Sequence, residues 1–295
     1  MSIKSAIHVK YGKSANTRLI AQGGIIGFGG RTDWAGAISR SAKMGFYEVT
    51  LSQNQKKIVV ILPTYNEAGN IEELIGKLRA MNLKVIVADD NSPDGTWKIV
   101  QEIQADDSGV SLIRRMERKG RGYAGAEALH AALESGADQI VEMDADFSHR
   151  PEDLPGLLQK LDSGCDMVIG SRFFEGGTDA RPSFARRWIT LISKFYARIV
   201  LGVSLGDPNS GYRAYTARAM EMIEPQSLIS EGASIVHEVL IRAHRRGCRI
   251  EETPIHFVDR IRGESQLTAW RLLKGFAMVA YFRYLAERGR LFGKK

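Results

Sequence analysis

The fold is decided by residues 57–90, which read KIVVILPTYNEAGNIEELIGKLRAMNLKVIVADD. The run KIVVIL is continuous and rich in β-branched residues, which is typical of a buried strand, and LKVIVA is a second run of the same kind. Between them, Asn70 and Glu73 have the spacing of a capping box, which predicts the start of a helix. The segment therefore predicts a strand–helix–strand unit.

The same alternation continues toward the C-terminus. Three more strands are predicted at SLIRR, QIVEM and DMVIG (111–115, 139–143 and 166–170). Helices are predicted after the SPDGT turn, from AEALHAALES to its stop at Gly136, and from Pro151. Strand and helix thus alternate five times, which indicates an α/β domain with a mainly parallel sheet flanked by helices. Beyond Arg172 the pattern predicts helices near 184–201, 216–223 and 234–246, short strands in CRIEETP and IHFVDR, and a long helix from about Thr268.

Polar loops follow four of the predicted strands. They read PTYNE, DDNSPDGT, DADFSH and GSR. In mainly parallel sheets, ligands bind beyond the carboxyl ends of the strands. We therefore expect these loops to meet at one edge of the sheet, although they are far apart in the sequence.

In the DADFSH loop, Asp144 and Asp146 flank one alanine directly after a predicted strand. Alternate side chains of a strand point to the same side, so both carboxylates could face one site. Such oxygen ligands suit Mg²⁺ or Mn²⁺. The pattern alone fits equally well with carboxylates that only cap turns or helices. Asp89 and Asp90 at a second strand end, and Arg172 after a third, favour a site for a metal and a phosphate.

Charge is distributed unevenly along the 295 residues, which carry a net charge of +7. Residues 1–55 and 260–295 are strongly basic, whereas the segment between them is mildly acidic. This distribution favours an anionic membrane surface at least as much as nucleic acid, and no nucleic-acid motif is present. The two cysteines form no zinc or redox pattern.

Three segments are predicted. Residues 1–55 show no sustained periodicity and are expected to form a flexible N-terminal extension; Gly27 and Gly29 lack the third glycine of a dinucleotide-binding motif. Residues 56–267 form the α/β domain. Residues 268–295 form a basic helix in which Lys274 and Arg283 interrupt the apolar residues, so it is not expected to cross a bilayer. That helix fits an interfacial helix and a core-packing helix about equally well.

Six motifs carry a resemblance to a known family. ILPTYNEAGNIEELI, VADDNSPDGT, VEMDADFSHRPE, VIGSRF, SGYRAY and PIHFVDRIRGES stand in the order and approximate spacing of the family 2 glycosyltransferases. Within that family they most resemble the dolichol-phosphate or polyprenol-phosphate mannose synthases. The resemblance covers roughly 56–270. It implies a GT-A fold with a Rossmann-like sheet, and transfer of mannose from GDP-mannose to a polyprenyl phosphate with inversion.

The resemblance also implies roles for individual residues. A nucleoside and diphosphate site is implied for Pro63, Tyr65, Glu67, Asp89, Asp90, Asp144, Ala145, Asp146, Arg172, Arg260 and Gln266. A metal site with Mg²⁺ or Mn²⁺ is implied for Asp144, Asp146 and Ser148. Arg186 and Thr190 match the acceptor-phosphate site. Together Asp146, Arg172, Arg186 and Arg260 form the implied catalytic set. The implied location is peripheral, on the cytoplasmic face of a membrane, through its surface or a membrane partner protein.

Two positions depart from the family pattern. Ser148 stands where some members have a glutamine metal ligand, and Gln266 stands where a lysine usually contacts the diphosphate. The second change removes a cation and leaves open another donor, such as UDP-glucose. A phosphatase of the haloacid-dehalogenase type also places a DxD motif after a strand, but there the motif follows the first strand and not the fourth.

Overall fold

The structure, a computed structural model, describes residues 56–180, 192, 194–196, 198–258 and 274–292 with their side chains. For residues 8–10, 16–21, 24–29 and 269–273 it describes the backbone alone. The chain divides into two compact units, Met1–Gln55 and Lys56–Lys295.

The first unit contains a small antiparallel sheet. Its strands are β1 (His8–Lys10), β2 (Asn16–Ala21) and β3 (Gly24–Gly29), in the order β1-β2-β3. The sequence did not indicate these strands, because β3 is half glycine and glycine lowers strand propensity. The flexibility expected for 1–55 stays a prediction.

The second unit is built on a seven-stranded sheet. Its strands are β4 (Ile58–Thr64), β5 (Lys84–Asp89), β6 (Val110–Arg114), β7 (Gln139–Glu142), β8 (Met167–Ser171), β10 (Arg213–Thr216) and β11 (Ile250–Pro254). A separate parallel pair joins β9 (Thr178–Asp179) to β12 (His256–Phe257). The helices are α1 (Ile71–Ala80), α2 (Thr96–Asp106), α3 (Arg121–Glu134), α4 (Leu154–Asp162), α5 (Ala217–Ile223), α6 (Ile235–Arg245) and α7 (Ala269–Glu287).

The sheet is mainly parallel, as predicted. Its order is β11-β8-β10-β7-β4-β5-β6, and only β10 runs against its two neighbours. No strand was predicted for these residues, and Thr216, the last residue of β10, was placed at the start of a helix. Four residues between a loop and a helix show no clear period, and their role as a strand depends on the long-range pairing with β7 and β8.

The sheet is covered on both faces. Val59 and Ile61 of β4 belong to one core cluster, whereas Val60 and Leu62 belong to the other. This alternation places the sheet at the centre of the unit, and it explains why the strands read as continuous apolar runs.

The cap predicted for α1 is wrong, although the helix itself begins at Ile71 as expected. The Asn70 side chain makes no capping hydrogen bond; its Nδ2 donates to Glu67 Oε2 at 2.9 Å. Glu73 pairs instead with Lys77 one turn later. Asn70 therefore bonds to the polar loop before the helix, whereas a capping box requires its side chain to bond to the first turn of the helix.

Helix α7 packs on the core through one face. Val279, Phe282 and Leu285 are buried there, while Tyr281 and Tyr284 are each 46% exposed. In the part of the chain that is described, no helix is both long and apolar enough to cross a membrane.

Candidate functional site

The site lies where parallel strands end side by side. Strands β7, β4 and β5 are neighbours, and Thr64 at the end of β4 is in register with Asp89 at the end of β5. Asp144 and Asp146 follow directly after β7. The structure therefore brings the PTYNE, DDNSPDGT and DADFSH loops to one edge of the sheet.

The two carboxylates of the DxD motif have different surroundings. The Asp144 side chain is 31% exposed, whereas Asp146 is 4% exposed. Asp146 Oδ1 accepts hydrogen bonds from the Ser148 backbone N–H at 3.1 Å and from the Ser148 hydroxyl at 2.6 Å. Phe147, which stands between these two residues, has a φ of 60°, so the chain turns back on itself there. Ser148 thus orients Asp146.

His149 supports the other carboxylate. Its Nδ1 accepts a hydrogen bond from the Asp144 backbone N–H at 3.0 Å, and its ring stacks on Tyr212 with centroids 5.0 Å apart. Burial lowers the pKa of His149, although Asp144 and Asp146 oppose this effect. The neutral ring therefore fixes the backbone of the motif.

A cation lies directly on the motif. Arg121 Nη2 is 2.6 Å from Asp144 Oδ1 and 3.8 Å from Glu142 Oε1. The charge of Asp144 is the largest influence on Arg121 and raises its pKa. Burial raises the pKa of Glu142, with Arg121 and Arg213 opposing. The acidic edge of the sheet therefore carries a resident positive charge.

Asp89 and Asp90, predicted nucleoside ligands, are both engaged within the protein. Asp89 is fully buried; it accepts hydrogen bonds from the Thr64 hydroxyl at 3.0 Å and from Ser92 N at 2.8 Å. Asp90 forms an ion pair with Arg115 and accepts a hydrogen bond from Gly120 N at 2.6 Å. The two carboxylates therefore join the loops of the crevice to one another.

The remaining predicted nucleoside residues line the same edge. Tyr65 is 47% exposed, which leaves its ring accessible for stacking on a base. Glu67 accepts the hydrogen bond from Asn70, and its own N–H donates to Thr96 Oγ1 at 2.9 Å. Pro63 is the next-to-last residue of β4, and Ala145 is buried within the DxD turn.

Arg172, at the end of β8, forms a bidentate pair. Its Nε is 2.6 Å and its Nη2 2.7 Å from the two carboxylate oxygens of Asp207. Both residues are buried. The backbone N–H groups of Gly206 and Asp207 donate in turn to Glu252, at 2.6 and 2.8 Å. A phosphate that approaches Arg172 thus meets a guanidinium whose charge is already partly balanced.

Four predicted site residues, Arg186, Thr190, Arg260 and Gln266, lie outside the described residues. Conversely, Arg121, His149 and Asp207 were not predicted as site residues. His149 stands within the quoted DADFSH motif, and Arg121 between two glycines of the loop that enters α3. His149 is five residues from Asp144, whereas contacts between residues distant in the sequence bring Arg121 to Asp144 and Asp207 to Arg172, and a single sequence does not contain that information.

Comparisons with known proteins show the family to which the chain belongs. Residues 59–223 match the model of the glycosyl transferase family 2. The chain is 39% identical over 235 residues to the undecaprenyl-phosphate mannosyltransferase of Micrococcus luteus. That match covers 79% of this chain and 96% of the relative. The chain belongs to glycosyltransferase family 2. The match to this family includes every described residue of the predicted site, from Pro63 to Arg172.

Two further proteins extend the comparison of this family 2 glycosyltransferase. The polyprenol monophosphomannose synthase of Mycolicibacterium smegmatis is 34% identical over 239 residues, covering 80% of this chain and 89% of that protein. A crystal structure of glucosyl-3-phosphoglycerate synthase from Mycobacterium tuberculosis, in complex with Mn²⁺, UDP and glucosyl-3-phosphoglycerate, has a TM-score of 0.56. The match covers 88% of this chain and 86% of the chain in that crystal structure, at 22% identity, so it supports only the GT-A fold.

Proposed function

We propose that this chain transfers mannose from GDP-mannose to a polyprenyl phosphate, with inversion at the anomeric carbon. The observation that carries the proposal is the 39% identity to an undecaprenyl-phosphate mannosyltransferase along nearly all of that relative. The pair of carboxylates, Asp144 and Asp146, lies beyond the carboxyl end of β7. It is placed where α/β proteins bind their ligands.

The crevice has the chemistry of a nucleotide site. The exposed Tyr65 ring offers a face to a base, while Asp89 and Asp90 hold the loops beside it in place. A preformed pocket loses less entropy on binding than a mobile one. These contacts support the nucleoside role proposed for this group of residues.

The donor set at the DxD motif fits a divalent cation. Asp144 and Asp146 offer hard oxygen ligands, and among the described residues no group of three or more His, Cys, Asp or Glu is placed to hold a metal ion. Mg²⁺ is commonly held by one or two carboxylates, with waters and substrate phosphates completing its shell. When bound, Mg²⁺ or Mn²⁺ would offset charge on the leaving nucleoside diphosphate. Ser148 keeps its hydroxyl on Asp146 and orients that ligand.

The acceptor needs no general base. A phosphate monoester has its second pKa near 6, so it is largely dianionic at neutral pH. His149 is buried and its Nδ1 is already bound by Asp144 N–H, so this ring is not proposed as a base. The predicted roles of Arg186 and Thr190 with the acceptor, and of Arg260 and Gln266 with the donor, remain part of the proposal.

An apolar surface beside the site suits a lipid acceptor. Helical residues Ile192, Phe195 and Ile199 are 59%, 67% and 62% exposed. Lys194 lies 5.7 Å from the ring of Phe173, the residue after Arg172, which connects this surface with the end of β8. We propose that it meets the cytoplasmic face of a membrane, where the lipid phosphate would be presented to the site.

Transfer assays with labelled donors test the proposal. The protein is incubated with Mg²⁺, a polyprenyl phosphate and, separately, radiolabelled GDP-mannose or UDP-glucose. Labelled lipid should form from GDP-mannose and disappear on chelation of the metal. Labelled lipid from UDP-glucose but not from GDP-mannose would replace the donor while keeping the acceptor, and no labelled lipid from either donor would overturn the proposal.

A further inference from the structure

Arg121 is held at the acidic motif by a closely packed stretch of backbone. It stands between Gly120, with a φ of 142°, and Gly122. A Cβ at either glycine would overlap a carbonyl oxygen, that of Glu231 or that of Ser230. Gly122 N also donates to the Glu231 carbonyl at 3.0 Å. The backbone on both sides of Arg121 is therefore packed against residues 230–231.

The side chain reaches from this backbone into the cluster of carboxylates. Its Nη2 donates to Asp144 Oδ1 at 2.6 Å, and the same nitrogen is 3.8 Å from Glu142 Oε1. The Arg121 side chain is 30% exposed, so the contact is only partly screened by solvent. An arginine side chain does not lose its charge at any accessible pH.

Two other described arginines near the crevice are paired with different carboxylates. Arg115 is buried between Asp90 and Glu127, and Arg172 is bound to Asp207. Both are thus balanced by carboxylates outside the DxD motif. Arg121 is instead paired with one of the two proposed metal ligands.

We propose that Arg121 is a resident counter-ion that competes with the divalent cation for Asp144. This inference rests on the proposed function, because it takes Asp144 as a metal ligand. The guanidinium occupies one carboxylate oxygen and repels a second cation nearby, so metal binding to the nucleotide-free protein is weakened. Metal and Arg121 can share the site only when the anionic diphosphate arrives to balance their combined charge. Arg121 would thereby link metal binding to donor binding.

Mn²⁺ binding without nucleotide tests the competition directly. The free Mn²⁺ signal in electron paramagnetic resonance is followed during titration of the wild type, Arg121→Gln, Arg121→Lys and Lys119→Gln. Lys119 is an exposed lysine on the same loop, so its variant matches the loss of charge in Arg121→Gln. Circular dichroism and thermal unfolding check that each variant folds.

Arg121→Gln should bind Mn²⁺ about tenfold more tightly than the wild type, on the order expected for removing a unit charge close to the ion. Arg121→Lys keeps the charge and should remain within a few-fold of the wild type, as should Lys119→Gln. Equal or weaker Mn²⁺ binding by Arg121→Gln would overturn the inference and leave the proposed metal site intact. If neither the wild type nor Arg121→Gln binds Mn²⁺, both the metal site and the competition are refuted.

Discussion

At the scale of single residues, the site combines a carboxylate open to solvent with one that is buried. Asp144 is partly exposed beside Arg121, whereas Asp146 is buried and oriented by Ser148. Different surroundings give chemically identical groups different tasks. Asp146 is therefore the proposed ligand whose geometry is fixed in advance, and Asp144 the one whose partner changes.

Asp146→Ala should abolish metal-dependent transfer while leaving the fold intact. Loss of a preorganised electrostatic group at a reacting site lowers kcat by about 100-fold or more. The measurement is the rate of transfer from labelled donor across a range of Mn²⁺ concentrations, together with circular dichroism. The control is Asp162→Ala, since Asp162 is an exposed carboxylate that pairs with Lys56. Full metal-dependent activity in Asp146→Ala would remove this residue from the catalytic set.

His237 gives a prediction about pH and stability. Burial, with a smaller contribution from Arg213, lowers its pKa to about 3, and its Nε2 bonds Asn209 Oδ1 at 2.9 Å. In the unfolded chain the pKa of histidine is about 6.5, so between these values the unfolded state binds the additional proton. The free energy of unfolding is therefore highest above pH 6.5 and decreases as the pH falls toward 3.

Replacement of His237 by Gln should flatten this dependence. Gln keeps a donor for Asn209 but does not titrate, so the melting temperature of His237→Gln should decrease less between pH 7 and pH 4.5 than that of the wild type. Scanning calorimetry at a series of pH values measures the difference. Parallel curves for the two proteins would show that His237 does not contribute to the acid sensitivity.

At the scale of elements, the loop into α3 is attached to β5 by a buried ion pair. Arg115 binds Asp90, with side chains 5% and 7% exposed, and also Glu127, which is 52% exposed. Asp90 accepts a further hydrogen bond from Gly120 N. One carboxylate thus fixes both the end of a strand and the glycines around Arg121.

The two partners of Arg115 allow a matched comparison. Asp90→Asn leaves a buried guanidinium without its main counter-ion and should lower the free energy of unfolding by about 3 kcal/mol. Glu127→Gln removes only an exposed partner and should change it by less than about 1 kcal/mol. Urea denaturation of both variants measures these values. Equal losses would mean that the depth of burial does not decide the strength of this pair.

The elements also show how far the sequence predicts this structure. The parallel strands and their helices were predicted because each carries its own local pattern of buried apolar residues, as in the run from Val59 to Leu62. Strand β10 was missed because its four residues acquire their role from the pairing with Glu142 and Ile169 on its neighbours. The same limit applies to the site. DADFSH is contiguous and was recognised, whereas Arg172–Asp207 and Arg121–Asp144 join residues far apart in the sequence.

At the scale of the whole molecule, residues 1–55 form a compact unit separate from Lys56–Lys295. The match to the Micrococcus luteus relative covers 96% of that protein but only 79% of this chain. We therefore expect a chain of residues 56–295 to keep its melting temperature and its transfer rate within about twofold. A loss of activity in this truncated protein, measured with the labelled donor, would give residues 1–55 a part in catalysis.

The exposed apolar face near the site gives the last prediction. Ile192, Phe195 and Ile199 lie three and four residues apart, so they share one side of a helix. Burial of a phenylalanine side chain contributes about 1.5–3 kcal/mol, and tenfold in affinity corresponds to about 1.4 kcal/mol. Phe195→Glu should therefore weaken binding to vesicles with anionic lipid by at least about tenfold, measured by sedimentation. Met116→Glu, at a residue that is 61% exposed in the loop after β6, is the matched control and should bind like the wild type. Equal losses in both variants would reduce the effect to added negative charge, and no loss in Phe195→Glu would assign this face to a partner other than a membrane.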